Sequence, residues 1–137
     1  MRKDYISDAK WQQIMEFSKN LQTPCVIIDL ETIKKTYKDL IKNFPYADVY
    51  YAVKANPNEE ILKILFELGA SFDIASIYEL DKVLALGIPP DRLSYGNTIK
   101  KAKDIAYFYE KGVRMFATDS KDDLKNIAQY APGSRVY

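Results

Sequence analysis

Residues 61–87 read ILKILFELGASFDIASIYELDKVLALG, and their punctuation sets the architecture. Ile61, Leu62, Leu65, Phe66 and Leu68, and later Leu80, Val83, Leu84 and Leu86, recur at the spacing of an amphipathic helix face. Each run stops at a glycine, Gly69 or Gly87, where a helix closes with a left-handed residue that only glycine adopts without strain. Between the runs lies the short β-like segment SFDIAS. Ser76, with Glu79 three residues on, then forms a capping box for the second helix. The repeating unit is strand, cap, helix, glycine.

The unit continues in both directions. Gly112 in YEKGVR and Gly133 in YAPGSR are further helix stops, and RLSYGN, RMFATD and SRVY are further strands. Upstream, DVYYAVK is the first strand. Asn56, with Pro57 at the first helical position and Glu59 three residues on, predicts the next cap, and Thr98 and Ser120 predict the last two. A spacing of roughly 20–25 residues is that of parallel βα units joined by right-handed crossovers.

The pattern predicts four complete βα units and the start of a fifth strand at Tyr137. A closed (β/α)8 barrel needs about 250 residues, so the chain is expected to hold half of one. A four-stranded doubly wound sheet is the alternative on pattern alone. PCVIIDL predicts a separate strand near 24–30, followed by a helix over 31–44. The expected division is an N-terminal segment, 1–44, and a barrel portion, 45–137. Half a barrel exposes an unpaired strand and an apolar inner face, so it should need more chain, a partner or self-association.

Composition narrows the chemistry. With 20 Lys and Arg against 19 Asp and Glu, the net charge of +1 gives no electrostatic reason to expect nucleic acid or an anionic membrane. No stretch has the uninterrupted apolar run of a signal peptide or a membrane span. Cys25 is the single cysteine, which rules out an intrachain disulfide. Its apolar strand predicts a core position, and a lone thiol suits a reducing cytoplasm. There is no histidine, which removes His-based triads, His-ligated zinc and the commonest acid/base near neutral pH. Chemistry here must run on Lys, Asp, Glu, Tyr, Ser or a borrowed cofactor.

Against that background YYAVKANP, residues 50–57, poses a question, because Lys54 ends an otherwise apolar strand. Period-two alternation places Val49, Tyr51 and Val53 on one face and Tyr50, Ala52 and Lys54 on the other. Catalytic groups of βα barrels sit at the carboxyl ends of strands. A lysine there can simply snorkel, with its stem buried and its charge in solvent. Asp73 takes an inward position in the next strand by the same parity, since Phe72 and Ile74 face the helices. The expected arrangement is therefore an acid beside an amine. It is either a structural salt bridge or a lysine nucleophile held by a carboxylate.

YYAVKANP, FDIASIYEL and LSYGNTIKK together resemble the first half of the pyridoxal-phosphate-dependent decarboxylases of ornithine, lysine and diaminopimelate, whose barrel is of the alanine-racemase type. The resemblance runs from about Thr23 to Tyr137 and looks most like the ornithine/lysine branch. It implies a partial (β/α)8 TIM barrel, with its first four βα units preceded by an N-terminal strand and helix. It further implies that Lys54 bonds covalently to pyridoxal 5'-phosphate, that Asp73 lies near that bond, and that Ala52 is the small residue against the cofactor. The implied activity is decarboxylation of a basic amino acid to a diamine for polyamine biosynthesis, by a cytoplasmic homodimer. The demanding step then belongs to the cofactor, which suits a chain without histidine.

In that family the ring-stacking histidine, the phosphate-binding glycine loop, the acid facing the pyridine nitrogen and the C-terminal β domain come later than residue 137. The isolated stretch is thus expected to be inactive. Two other readings share the motifs: a non-catalytic decarboxylase-like regulator and a single-domain pyridoxal-phosphate carrier. The strand and helix before DVYYAVK, together with FDIAS, favour the two-domain decarboxylase over the carrier. Elsewhere, Glu79 is read as a capping residue, and Lys100, Lys101 and Lys103 as a solvated helix face. Gly96 and Asn97 either approach the cofactor or make the turn.

Overall fold

The computed structural model describes residues 6–137, so the first five residues of the expected N-terminal segment lie outside it. The chain forms two compact units that divide between Leu30 and Glu31. The first contains helix α1, Asp8–Ser18, whose N-cap Ser7 accepts a hydrogen bond from the Lys10 amide. Lys10 also pairs with Asp29 at 3.0 Å. Residues 25–29 form neither strand nor helix, which corrects the strand expected near 24–30. The apolar run has no strand partner among the described residues. Val26 is 89% exposed, and Cys25 is exposed rather than in the core.

The second unit holds helix α2, Leu30–Asn43, from Glu31 onward, so this helix groups with the sheet rather than with the N-terminal segment. Then follow β1 Tyr50–Ala52, α3 Glu59–Glu67, β2 Ser71–Ile74, α4 Ile77–Ala85, β3 Leu93–Tyr95, α5 Ala102–Glu110, β4 Met115–Phe116, α6 Lys121–Tyr130 and β5 Arg135–Val136. The five strands form one parallel sheet in the order β1-β2-β3-β4-β5. This strictly sequential order contains no reversal, the feature that marks a doubly wound sheet.

Packing follows the strand parity. Phe72 and Ile74 of β2, Leu93 and Tyr95 of β3, and Phe116 of β4 are buried, as are Leu62 and Leu65, Leu80 and Val83, and Ile105 and Phe108 on successive helices. Tyr95 stacks on Phe108 with ring centroids 3.7 Å apart and planes 8° from parallel. The opposite sheet face carries a different row. Register sets Ala52 opposite Asp73, and Asp73 opposite Ser94.

The glycine stops are present as expected: Gly69, Gly87, Gly112 and Gly133 all have positive φ, between 75° and 97°. Ser76 caps α4 through the Glu79 amide, and the Glu79 carboxylate accepts from the Ala75 amide at 2.7 Å. Ser120 caps α6. Two expected caps are corrected. Asn58, not Asn56, caps α3, because the Asn56 side chain is already turned onto the Asn58 amide. Thr98 caps nothing, since α5 starts only at Ala102 and its N-cap, Lys101, makes no side-chain bond.

Candidate functional site at the carboxyl ends of the strands

The site grows from the way β1 ends. The strand stops at Ala52, and Val53–Ala55 turn in one 3-10 step before the chain extends again at Asn56. Lys54 therefore stands on the turn after the strand rather than on the strand itself, a small correction to its predicted place. Val53 is completely buried and anchors the turn, whereas Lys54 is exposed. The Tyr51 hydroxyl donates to the Asn56 carbonyl at 3.2 Å and ties the far side of the turn to the strand. Tyr51 in turn meets Phe72 edge-on. A polar side chain is thus presented by a turn whose apolar side is fixed in the core.

Asp73 is half-buried on the inner sheet face. The expected pairing with Lys54 is not formed: among the described residues no hydrogen bond or ion pair joins the Lys54 amine to a carboxylate. The Asp73 Oδ1 instead accepts from the Ser94 hydroxyl at 2.7 Å and from the Tyr137 hydroxyl at 3.2 Å. The two hydroxyls lie 3.4 Å apart. Burial pushes the Tyr137 hydroxyl pKa up; the Ser94 hydrogen bond works against that, and the Asp73 charge reinforces it. Tyr137 is accordingly a protonated donor throughout the neutral range.

Gly96 completes the group. Its φ is not positive, so backbone conformation does not require glycine there. A Cβ at 96 would instead overlap the Asp73 carboxylate, both of whose oxygens and Cγ lie well inside van der Waals contact of that position. The carboxylate occupies the space where any other side chain would begin. Sequence reasoning singled out Gly96 without this reason and passed over Ser94 and Tyr137. For Ser94 strand parity carries the signal, since it puts Ser94 directly across from Asp73; for Tyr137 no local pattern does.

Lys100 departs furthest from expectation. It is not on a solvated helix face, since it precedes α5 and its side chain is fully buried. Its ammonium donates to the carbonyls of Asn97 at 3.0 Å and Ala117 at 2.7 Å, and to Asp123 Oδ2 at 2.6 Å. It also lies 5.7 Å from the centre of the Tyr95 ring. The cation ties the carboxyl end of β3 to that of β4 and to α6. Lys101 and Lys103 are exposed as expected. A cleft of about 480 Å³ opens above this tie, lined by Ala75, Ser76, Tyr78, Asn97 and Ile99 among others.

Among the described residues no group of three His, Cys, Asp or Glu side chains is placed to hold a metal ion. No helix among them is long and apolar enough to cross a membrane.

Comparison with known proteins gives concordant results. Residues 30–137 match the family model described as pyridoxal-dependent decarboxylase, pyridoxal binding domain. The chain is 38% identical over 110 residues to ornithine decarboxylase of Saccharomyces cerevisiae, an alignment covering 80% of this chain and 24% of that one. It is 34% identical over 110 residues to antizyme inhibitor 2 of Xenopus laevis, covering 80% and 24% respectively. The crystal structure of lysine decarboxylase from Selenomonas ruminantium superposes with a TM-score of 0.84 at 30% identity, over 96% of this chain and 34% of that one. The chain thus spans about a quarter to a third of the length of these relatives.

Proposed function

The chain belongs to the pyridoxal-dependent decarboxylases, and from that premise we propose that the whole protein removes the α-carboxylate of a basic amino acid, ornithine or lysine, to leave a diamine for polyamine synthesis. The matched domain is the pyridoxal-binding one, and its cofactor is pyridoxal phosphate. The observation carrying the proposal is the exposed Lys54 amine at the carboxyl end of β1, free of ion pairs among the described residues and next to an inner face that bears Ala52 and Asp73.

These residues fit the cofactor. An aldehyde needs an accessible amine, and Lys54 offers one on a turn fixed by the buried Val53. A flat ring needs a shallow floor, and Ala52 supplies a small position on the inner side of the sheet. When bound, pyridoxal phosphate supplies an electron sink for the charge left at Cα as carbon dioxide departs. Lys54 would hold the cofactor at its aldehyde carbon through Nζ, an amine that bonds there only in its neutral form. Asp73 would supply a negative charge on the inner face one strand away, and Ala52 would leave the approach to the amine unobstructed.

The working form proposed is a cytoplasmic homodimer built on a complete (β/α)8 barrel of the alanine-racemase type, with residues 45–137 as its first βα units. Residues 1–137 alone are proposed to be inactive, because the resemblance places the phosphate-binding loop and ring-stacking histidine later in the family's chain. A second reading, a non-catalytic regulator, is favoured by the likeness to antizyme inhibitor 2.

Incubation with pyridoxal phosphate, borohydride reduction and peptide mapping test the site. Label confined to Lys54 is expected, and label spread over the surface lysines overturns the assignment. Release of carbon dioxide from ornithine or lysine by the full-length protein separates enzyme from regulator. A protein labelled at Lys54 that releases none from either substrate is the regulator.

A further inference from the structure

The surroundings of Asp73 require an account that the proposed role of Lys54 does not provide. A carboxylate next to a lysine at the mouth of a parallel sheet would be expected to pair with it. Three features act together to hold this one elsewhere. Ser94 is buried and donates to Oδ1 from β3. Tyr137, one residue past β5, reaches back across the inner face to donate to the same oxygen. Gly96 leaves vacant the volume that the carboxylate fills.

We propose that Ser94, Gly96 and Tyr137 form a seat that keeps the Asp73 carboxylate on the β3 side of the inner face, out of ion-pairing reach of Lys54, so that the amine stays free to accept the cofactor's aldehyde. The inference rests on the reading of Lys54 as the cofactor-binding amine. Ser94 and Tyr137 are positioning residues, acting on Lys54 through Asp73.

A carboxylate within about 4–6 Å of an amine favours its charged form. The charged form has no lone pair with which to attack a carbonyl carbon. Imine formation joins Nζ to the aldehyde carbon and expels the aldehyde oxygen as water, so each ion-paired ammonium must first lose both proton and partner. Drawing the carboxylate onto two neutral hydroxyls removes the partner without removing the charge from the site. That charge remains one strand away, available to a cationic group that approaches later. The titratable and polar groups around the seat are Tyr50 from β1, Asp73 from β2, Ser94 from β3 and Tyr137 beyond β5, with Lys54 exposed on the turn that follows β1. Only the Asp73 side chain among them carries negative charge at neutral pH.

The seat can be broken in two chemically opposite ways. Ser94→Ala with Tyr137→Phe removes both donors and leaves the space, whereas Gly96→Ala leaves both donors and fills the space. Either change should release the carboxylate toward Lys54. The test uses the holoprotein stripped of cofactor. Pyridoxal phosphate is added back across a pH series, covalent capture is followed by absorbance, and the adduct is fixed with borohydride and mapped.

The expected result is label on Lys54 throughout, with the pH midpoint of capture raised by about one unit in both variants, as befits a newly adjacent opposite charge. Capture below the midpoint should then slow about tenfold. In an Asp73→Asn background, which keeps an acceptor but no charge, neither variant should move the midpoint. A purely structural role would slow capture evenly at all pH values and would do so in the Asp73→Asn background too. Midpoints that stay put, fall, or shift equally with Asn at 73 overturn the seat while leaving Lys54 as the cofactor residue. Label away from Lys54 in the unmodified protein overturns the underlying reading and the seat with it. Should the double variant fail to fold, Gly96→Ala alone and the two single variants carry the same comparison.

Discussion

The Lys100 ammonium lies 2.6 Å from the Asp123 carboxylate, with the lysine side chain fully buried and only 8% of the aspartate's accessible. Two backbone carbonyls, of Asn97 and Ala117, take the remaining donors. The whole hydrogen-bonding capacity of the cation is thus spent on the ends of two strands and the start of a helix.

Removing one half of such a buried pair leaves the other charge unpaired and desolvated. Lys100→Met should therefore cost roughly 3–5 kcal/mol, read as a lowered urea midpoint at unchanged slope. Replacing both, Lys100→Met with Asp123→Leu, should recover much of the loss, because an apolar pair of similar volume carries no desolvation cost. A double variant as unstable as the single one would show that the two carbonyl bonds, rather than the charge pair, hold this corner.

Tyr95 makes the fold sensitive to alkali. Burial pushes its pKa up to about 12, with Asp104 and Asp123 adding to the effect. A phenol whose pKa is raised in the native state binds its proton more tightly there than when unfolded. The stability this provides is complete below pH 10, the unfolded value, and is lost as pH climbs from 10 toward 12. The loss amounts to about 2–3 kcal/mol for a shift of this size. Thermal melts should fall steeply above pH 10, and Tyr95→Phe should flatten that fall. An unchanged alkaline slope in Tyr95→Phe would assign it to the other raised tyrosines, Tyr37, Tyr51, Tyr107 and Tyr137.

Gly112 and Gly133 both close helices at positive φ, yet their surroundings differ. A Cβ at 112 would lie 3.0 Å and 3.1 Å from two ring carbons of Pro90, whereas one at 133 meets nothing within 4 Å. Alanine at 133 should cost the left-handed penalty alone, about 1–2 kcal/mol. Alanine at 112 should cost more, since a proline ring yields little. Equal unfolding midpoints for the two variants would contradict this.

Arg92 clamps the turn before β2. Its guanidinium donates to the Ser71 hydroxyl at 3.1 Å, to the Ala70 carbonyl at 2.8 Å and to the Gly69 carbonyl. Arg92→Met keeps much of the stem and removes every donor, so a loss of about 1–3 kcal/mol is expected from acceptors left unsatisfied. Amide exchange at Ala70 and Ser71 should quicken more than at Leu93, and a uniform change across the sheet would argue against a local clamp.

What could be read from the chain was whatever local chemistry forces. Glycine at 69 or 87 is required by the backbone whatever surrounds it, and Ser76 with Glu79 satisfies amides within one turn, so both were visible in sequence. Lys100 was misread because burial of a lysine depends on Asp123, more than twenty residues away, and on two carbonyls that no side-chain pattern reveals. Asn56 and Asn58 are equally good caps on paper, and the choice was made by the first bonding to the amide of the second. The run at 24–30 has a strand's composition, yet a strand exists only where another chain segment pairs with it. Asp73 was placed correctly on the inner face by parity. Its partner was missed because Tyr137 lies sixty-four residues away.

The sequential strand order also governs how the chain finds its structure. Tyr50 pairs with Ser71, Phe72 with Leu93, Tyr95 with Phe116 and Met115 with Arg135, so every ladder closes a loop of about the same modest length, and closure entropy rises only slowly with loop size. No rung waits for a distant segment. Each successive βα unit can therefore close onto the one before it without waiting for chain from further along.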